Sequence, residues 1–125
     1  PMFGQAHHFR NYAAEKMEYS IERYTNESGR LYRIMDKHLG ENEYLAGDEY
    51  TIADIATFPW SRGPERRGQD IEQLPNVKRW IETIQARPAV AKALTVLGEH
   101  QSKPTDVIDE ETRSIMFGAK QFENR

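Results

Sequence analysis

An all-α fold is predicted by three features of this chain. Apolar residues recur at three- and four-residue spacing through its longer stretches. No segment alternates at period two, and no Asn-Gly or Asp-Gly hairpin signal occurs. The run Tyr50-Thr51-Ile52-Ala53-Asp54-Ile55 is a complete helix start. In it Thr51 is placed to accept the N–H three residues on, Asp54 to accept the N–H of Thr51, and Tyr50 and Ile55 to close a hydrophobic staple. No internal repeat is visible.

The elements follow in order. Residues 1–14 carry Met2, Phe3, Phe9 and Tyr12 among polar neighbours. They open on an apolar segment with no cap, as an element continuing from upstream would. Residues 15–39 hold the longest helix, with Ile21, Tyr24, Leu31, Met35 and Leu39 at helical spacing. Its opposite face bears Tyr19, Arg23, Asn26, Arg30, Arg33 and Lys37, a basic stripe that can line an anion cleft or simply face water. Gly29 in mid-helix costs about 1 kcal/mol against alanine, a sign either of a close contact or of drift. Gly40 suits a C-terminal cap and Gly47-Asp48 a turn, with Tyr44 and Leu45 directed to the core.

The helix after Thr51 is apolar on nearly every side through Ile52, Ala53, Ile55, Ala56, Phe58 and Trp60, which predicts a central, buried element. Asp54 is then a structural capping residue. Pro59 kinks the helix late and Gly63-Pro64 ends it. Residues 69–74 connect to a helix begun by Pro75, where the missing N–H costs nothing and Val77, Trp80, Ile81 and Ile84 form one apolar face around a core Trp80. Pro88 starts a short helix through Val90 and Leu94, extending as far as Leu97, with Gly98 to cap it. Residues 100–106 read as a linker. Asp109 can cap a last amphipathic helix bearing Ile115, Met116 and Phe117 and stopped by Gly118, before a frayed end over residues 119–125.

Composition narrows the function. The 125 residues, with 17 Lys and Arg against 20 Asp and Glu, carry a net charge of −3. That balance argues against a nucleic-acid footprint, so the clusters Arg62, Arg66, Arg67 and Lys78, Arg79 read as solvated helix surface. With no cysteine there is no disulfide framework, thiolate metal site or cysteine nucleophile to propose. No membrane span or signal pattern is present, and a cytoplasmic location is expected.

Motifs for chemistry are sparse. His7-His8 point to different sides of a helix with no carboxylate at ligand spacing, so no metal site is expected. Neither a Gly-x-Ser-x-Gly elbow nor a phosphate-cradling glycine loop occurs. Arg23, near the start of the long helix, can grip a carboxylate through two parallel hydrogen bonds, or it can pair with Glu27 four residues on.

The segments Pro1-Met-Phe-Gly-Gln-Ala-His-His-Phe9, Tyr19-Ser-Ile-Glu-Arg-Tyr24, Tyr44-Leu-Ala-Gly47, the capped run through Trp60, Pro75-Asn-Val-Lys-Arg-Trp80 and Ala86-Arg-Pro-Ala-Val90 together resemble the C-terminal helical domain of glutathione S-transferases. The resemblance is strongest to the bacterial nu class, whose members act mainly as glutathione-dependent disulfide reductases. It covers roughly residues 1–97, and implies a helical domain over 1–98 followed by a linker and short helix over 99–125. It further implies a helical bundle whose thioredoxin-like partner domain, absent from this chain, carries the catalytic groups and most glutathione contacts. Glutathione would be the co-substrate, with a small electrophile or disulfide as second substrate and a homodimer as the full-length assembly.

Carried over by position, Arg23 would contact glutathione, and Phe3, Gln5, His8, Asn11 and Tyr12 would line the second-substrate cleft. Trp60 would be core. No catalytic residue falls in this chain, and the chain alone would be inactive. Ala14 and Glu18 stand where the family favours proline, and Gly63-Pro64 interrupts a region that is usually helical. The alternative is a stand-alone interaction module, since the same helical domain resembles those appended to translation factors and aminoacyl-tRNA synthetases. Self-association through Met2, Phe3 and Phe9 would mark an orphaned domain, and a specific heterologous partner a module.

Overall fold

A computed structural model describes residues 1–96 and 108–123. These are helical throughout, with a single isolated bridge between Tyr44 and Gly47. The order is α1 (Met2–Asn11), α2 (Glu18–Glu41), α3 (Ile52–Ser61), short 3-10 helices at Pro64–Arg67 and Ile71–Gln73, α4 (Pro75–Gln85), α5 (Pro88–Thr95), α6 (Glu110–Phe117) and a 3-10 turn at Ala119–Phe122. The chain divides into two compact units, Pro1–Leu94 and Thr95–Arg125. Leu97, Gly98 and the expected linker over residues 100–106 lie outside the described residues.

In the first unit α2 is the spine, with α1 and α4 packed along it and α3 against α4. Its core is Tyr32, Leu39, Tyr44, Phe58, Leu74, Val77, Trp80, Ile81 and Ile84. The four apolar residues of α4 that share one face are all buried, as the 3.6-residue period requires. Asp54 lies among them with 0% of its surface exposed. The capping box forms: Thr51 Oγ1 accepts the N–H of Ala53 at 3.2 Å, and Asp54 Oδ2 accepts that of Thr51 at 2.9 Å. The other carboxylate oxygen takes the N–H of Leu45 at 3.0 Å and the indole N–H of Trp80 at 2.8 Å. The cap is therefore also the joint between α3, α4 and the loop before them.

A second pair of caps runs between helices. α4 has no side-chain cap of its own; Asp36 of α2 supplies it, Oδ1 accepting from the N–H groups of Asn76 and Val77 at 2.9 and 3.0 Å. In return Arg79 of α4 donates to the carbonyls of Leu39 (2.8 Å) and Asn42 (3.2 Å) at the end of α2. Gly40 is consequently not the cap expected of it. α2 runs on to Glu41, ending in extended backbone at Asn42; Arg79 takes carbonyls at this end, the work that backbone N–H groups do after a left-handed glycine. Arg79 is likewise not solvated helix surface.

α3 also departs from expectation. Ile52, Ile55 and Trp60 are 82%, 55% and 54% exposed, and only Asp54, Phe58 and Ser61 are buried. An all-round apolar sequence here marks a helix with one face in the core and another left bare. The ring contacts of Tyr50 are with Tyr44 and with the Arg87 guanidinium, 3.9 Å from its centroid, while Ile55 faces out. Pro59 is accommodated inside α3 and the helix ends before Gly63. Gly29 marks a close contact: a Cβ there would lie 2.6 Å from Gln69 Oε1, whose amide Nε2 donates to the Thr25 carbonyl.

In the second unit Asp109 Oδ1 accepts the N–H of Thr112 at 2.7 Å and starts α6. Ile115, Met116 and Phe117 are exposed. Of the end expected to fray, Ala119–Phe122 forms a 3-10 turn, and residues 124–125 lie outside the described residues.

Candidate functional site

Arg23 sits one and a half turns into α2 with its side chain exposed, as does the rest of the stripe from Tyr19 to Lys37. Glu27, the neighbour that could have neutralised it, is held elsewhere. Its two oxygens accept from Arg30 Nη2 at 2.7 Å and Nε at 2.8 Å. That bidentate pair holds the Glu27 carboxyl below its ordinary value; burial acts in the opposite sense, and the Arg30 and Arg23 charges add through space. Among the described residues Arg23 makes no hydrogen bond or ion pair, so its planar fork is available to a carboxylate from outside.

The α1 residues divide by helical angle. Phe3 turns inward and stacks on Tyr32, with centroids 4.5 Å apart. Gln5, His8 and Tyr12 fall on another side of the helix at roughly i, i+3, i+7 spacing. Asn11 donates to the carbonyls of His7 at 2.8 Å and Arg66 at 3.3 Å, so it fastens the end of α1 to the Pro64–Arg67 turn. The Tyr12 ring, just past the end of α1, meets the His7 ring edge-on and the His8 ring meets Phe9, so the structure does not bring the five residues to one surface.

Beside Phe3 the surface opens into two apolar grooves. One, of about 550 Å³, lies between α1, α2 and α3 and is lined by Met2, Phe3, Leu31, Ala56, Trp60 and Ser61 among others. The next, of about 460 Å³, shares Phe3 and Leu31 and continues over Ile34, Met35, His38 and Leu45. Trp60, expected in the core, is a groove wall. Of the five residues proposed for a cleft, Phe3 alone lines these grooves.

Arg67 is the residue that sequence reasoning missed. Expected on the surface, it is only 6% exposed. Its guanidinium lies 5.3 Å from the centroid of the Phe3 ring and donates from Nη1 to the Gly63 carbonyl at 2.8 Å, while its Nε has no partner. Burial pushes the neighbouring Tyr32 phenol up to about 12, against the opposing pull of Arg67. Nothing in the Pro-Glu-Arg-Arg run distinguishes Arg67 from Arg66; the turn geometry alone sends one inward and the other out. No group of three His, Cys, Asp or Glu side chains that could hold a metal occurs among the described residues. No helix of the described residues is long and apolar enough to cross a membrane.

A helical bundle of this order, with an exposed arginine early in its long helix and a capping box at its centre, defines a class. The chain belongs to the glutathione S-transferase C-terminal domain family, whose model matches residues 2–88. Among particular relatives it is similar to two proteins of Escherichia coli. One is the disulfide-bond oxidoreductase YfcG, 43% identical over 104 residues that cover 82% of this chain and 48% of that protein. The other is the disulfide-bond oxidoreductase YghU, 37% identical over 120 residues that cover 86% of this chain and 42% of that protein. A solved glutathione transferase family member from Pseudomonas fluorescens, with two glutathione bound, superposes with a TM-score of 0.67 at 46% identity, covering 75% of this chain and 44% of that one. The chain thus spans about half the length, or less, of these relatives.

Proposed function

We propose that this chain is the helical, substrate-binding half of a glutathione-dependent enzyme of the disulfide-reductase branch of the glutathione transferases. The observation that carries this reading is the 43% identity to a disulfide-bond oxidoreductase of which the chain covers about half. In this reading a thioredoxin-like half binds most of the glutathione and docks on the bare faces of α1, α2 and α3, where the two grooves run. The glutathione thiolate attacks one sulfur of a disulfide, the sulfur–sulfur bond breaks, and the leaving thiolate takes up a proton. No residue of this chain takes part in those bonds.

The contribution of this chain is charge and shape. Arg23 pairs with a glutathione carboxylate; its exposure, and its having no hydrogen bond or ion pair among the described residues, support that role. Phe3, Gln5, His8, Asn11 and Tyr12 belong to the second-substrate side, with Phe3 at the groove and Asn11 holding the end of α1 in place. The complete protein would work as a cytoplasmic homodimer. The test joins this chain to the thioredoxin-like half of YfcG and follows glutathione-dependent reduction of a small disulfide. Turnover by the joined protein and none by the isolated chain is expected. A joined protein that folds and binds glutathione yet reduces no disulfide contradicts the reading.

A further inference from the structure

One amide closes α1 on the Pro64–Arg67 turn, and a histidine stands against it. Asn11 Nδ2 donates to the His7 carbonyl at 2.8 Å and to the Arg66 carbonyl at 3.3 Å. The second of these is the oxygen of the peptide bond that leads into Arg67. Two carbonyl acceptors fix which way round the Asn11 amide sits, since its own oxygen would repel both. The same nitrogen lies 3.3 Å from His7 Nδ1. An amide nitrogen carries hydrogens and has no lone pair to offer, so Nδ1 faces it as an acceptor, and the neutral His7 ring carries its proton on Nε2.

A proton on Nδ1 would turn that acceptor into a donor aimed at another donor. His7 is half-buried, and its ring meets the Tyr12 ring edge-on with centroids 5.0 Å apart. Burial first, and then the charges of Arg67 and Arg66, hold the imidazole below its ordinary value. The other charged and titratable groups on the elements packed here are turned elsewhere. Arg10, one turn on, donates to Thr25 of α2 at 3.2 Å and lies against Gly68. Glu65, on the turn, is exposed. Tyr32 of α2 stacks on Phe3, and burial pushes its phenol up to about 12.

Beyond the Arg66 carbonyl begins the wall of the grooves. Arg67, next in the chain, is buried, and its guanidinium lies 5.3 Å from the centroid of the Phe3 ring, which lines both grooves. We propose that His7 is a pH-sensitive clasp: neutral, it lets Asn11 hold α1 to the Pro64–Arg67 turn, and protonated, it displaces the Asn11 amide and loosens the Arg67–Phe3 wall. The clasp does not depend on the glutathione reading. The unfolded imidazole, near pH ~6.5, takes up a proton before the folded one does. The hold of the clasp is therefore full above that pH and is lost as pH falls through the folded value.

The test is an NMR titration of this chain from about pH 8 to about pH 5, following the His7 ring nitrogens, the Asn11 side-chain amide and the backbone amides of Phe3 and Arg67. At the upper end Nδ1 should be the unprotonated nitrogen. The His7 midpoint should lie below ~6.5, and the Asn11, Phe3 and Arg67 signals should move with that same midpoint. In His7→Gln those signals should stay level over this range. In Asn11→Asp, where a carboxylate accepts from a protonated Nδ1, the His7 ring should bind its proton about tenfold tighter or more. A proton on Nδ1 at the upper end, a midpoint at or above ~6.5 in the unaltered chain, or Phe3 and Arg67 signals that move alike with and without His7→Gln, would overturn the proposal.

Discussion

The indole N–H of Trp80 donates to Asp54 Oδ1 at 2.8 Å, and both residues are fully buried. One carboxylate thereby starts α3, anchors the loop at Leu45 and holds α4 in place. Trp80→Phe keeps the ring and removes the donor. It should cost about 1–3 kcal/mol in urea unfolding, the penalty of leaving a buried polar group short of a partner. Asp54→Ala removes all of these bonds together and should cost more, about 3–5 kcal/mol, for a lost cap and two further N–H groups left without partners. Equal losses in the two variants would mean that the tryptophan bond is the whole of the joint.

The same carboxylate sets an acid limit. Burial alone raises its pKa, but hydrogen bonds from Thr51, Leu45 and Trp80 outweigh burial and hold it below its ordinary value. The unfolded chain therefore binds the proton first. The stabilisation is fully present above the unfolded value, near pH ~4, and is lost as pH falls through the folded value. Unfolding free energy measured from pH 7 down to pH 3 should be level and then drop. Asp54→Asn, with nothing to titrate there, should be less stable at neutral pH and lose less on acidification.

Asp36 and Arg79 cap each other's helices. Asp36→Ala exposes the N-terminal N–H groups of α4, and Arg79→Ala the C-terminal carbonyls of α2. Each should cost about 1–2 kcal/mol. Because each acts at a different helix end of one contact, the double variant should differ from the sum of the singles; strict additivity in a double-mutant cycle would show that the two caps are independent.

The bare face of α3 makes an association prediction. Ile52 and Trp60 leave more than half their surface in solvent, and exposed apolar patches of this kind mark interaction surfaces. The isolated chain should self-associate in sedimentation, and Ile52→Ser with Trp60→Ser should reduce that association while changing stability by only about 0.5 kcal/mol per site. A monomer at all concentrations would show that the face needs no cover.

These residues also show what the sequence made legible. Local signals carried through: the Thr51–Asp54 box, Pro75 opening α4, the four-residue apolar face around Trp80 and the Asp109 cap were each readable because cause and effect lie within one turn. Relations across the fold were not. Asp36 stands forty residues before the helix it caps, and Arg79 ends a helix it does not belong to. Arg67 is buried while its neighbour Arg66 is not, a difference made by the turn after Pro64. The apolar count of α3 was right, but a count cannot say which neighbour covers which side. For the candidate site, the resemblance named Phe3, Gln5, His8, Asn11 and Tyr12 together, whereas the inward turn of Phe3 and the Asn11–Arg66 bond needed coordinates.

The most direct test of the account is a calorimetric titration of glutathione into three proteins: this chain, this chain joined to the thioredoxin-like half of YfcG, and the joined protein carrying Arg23→Ala. No detectable binding is predicted for the first and saturable binding for the second. For the third, binding should be about 10- to 100-fold weaker, the worth of a charge-assisted hydrogen-bonded pair of ~1.5–3 kcal/mol. Micromolar binding to the isolated chain, or unchanged affinity in Arg23→Ala, would contradict it.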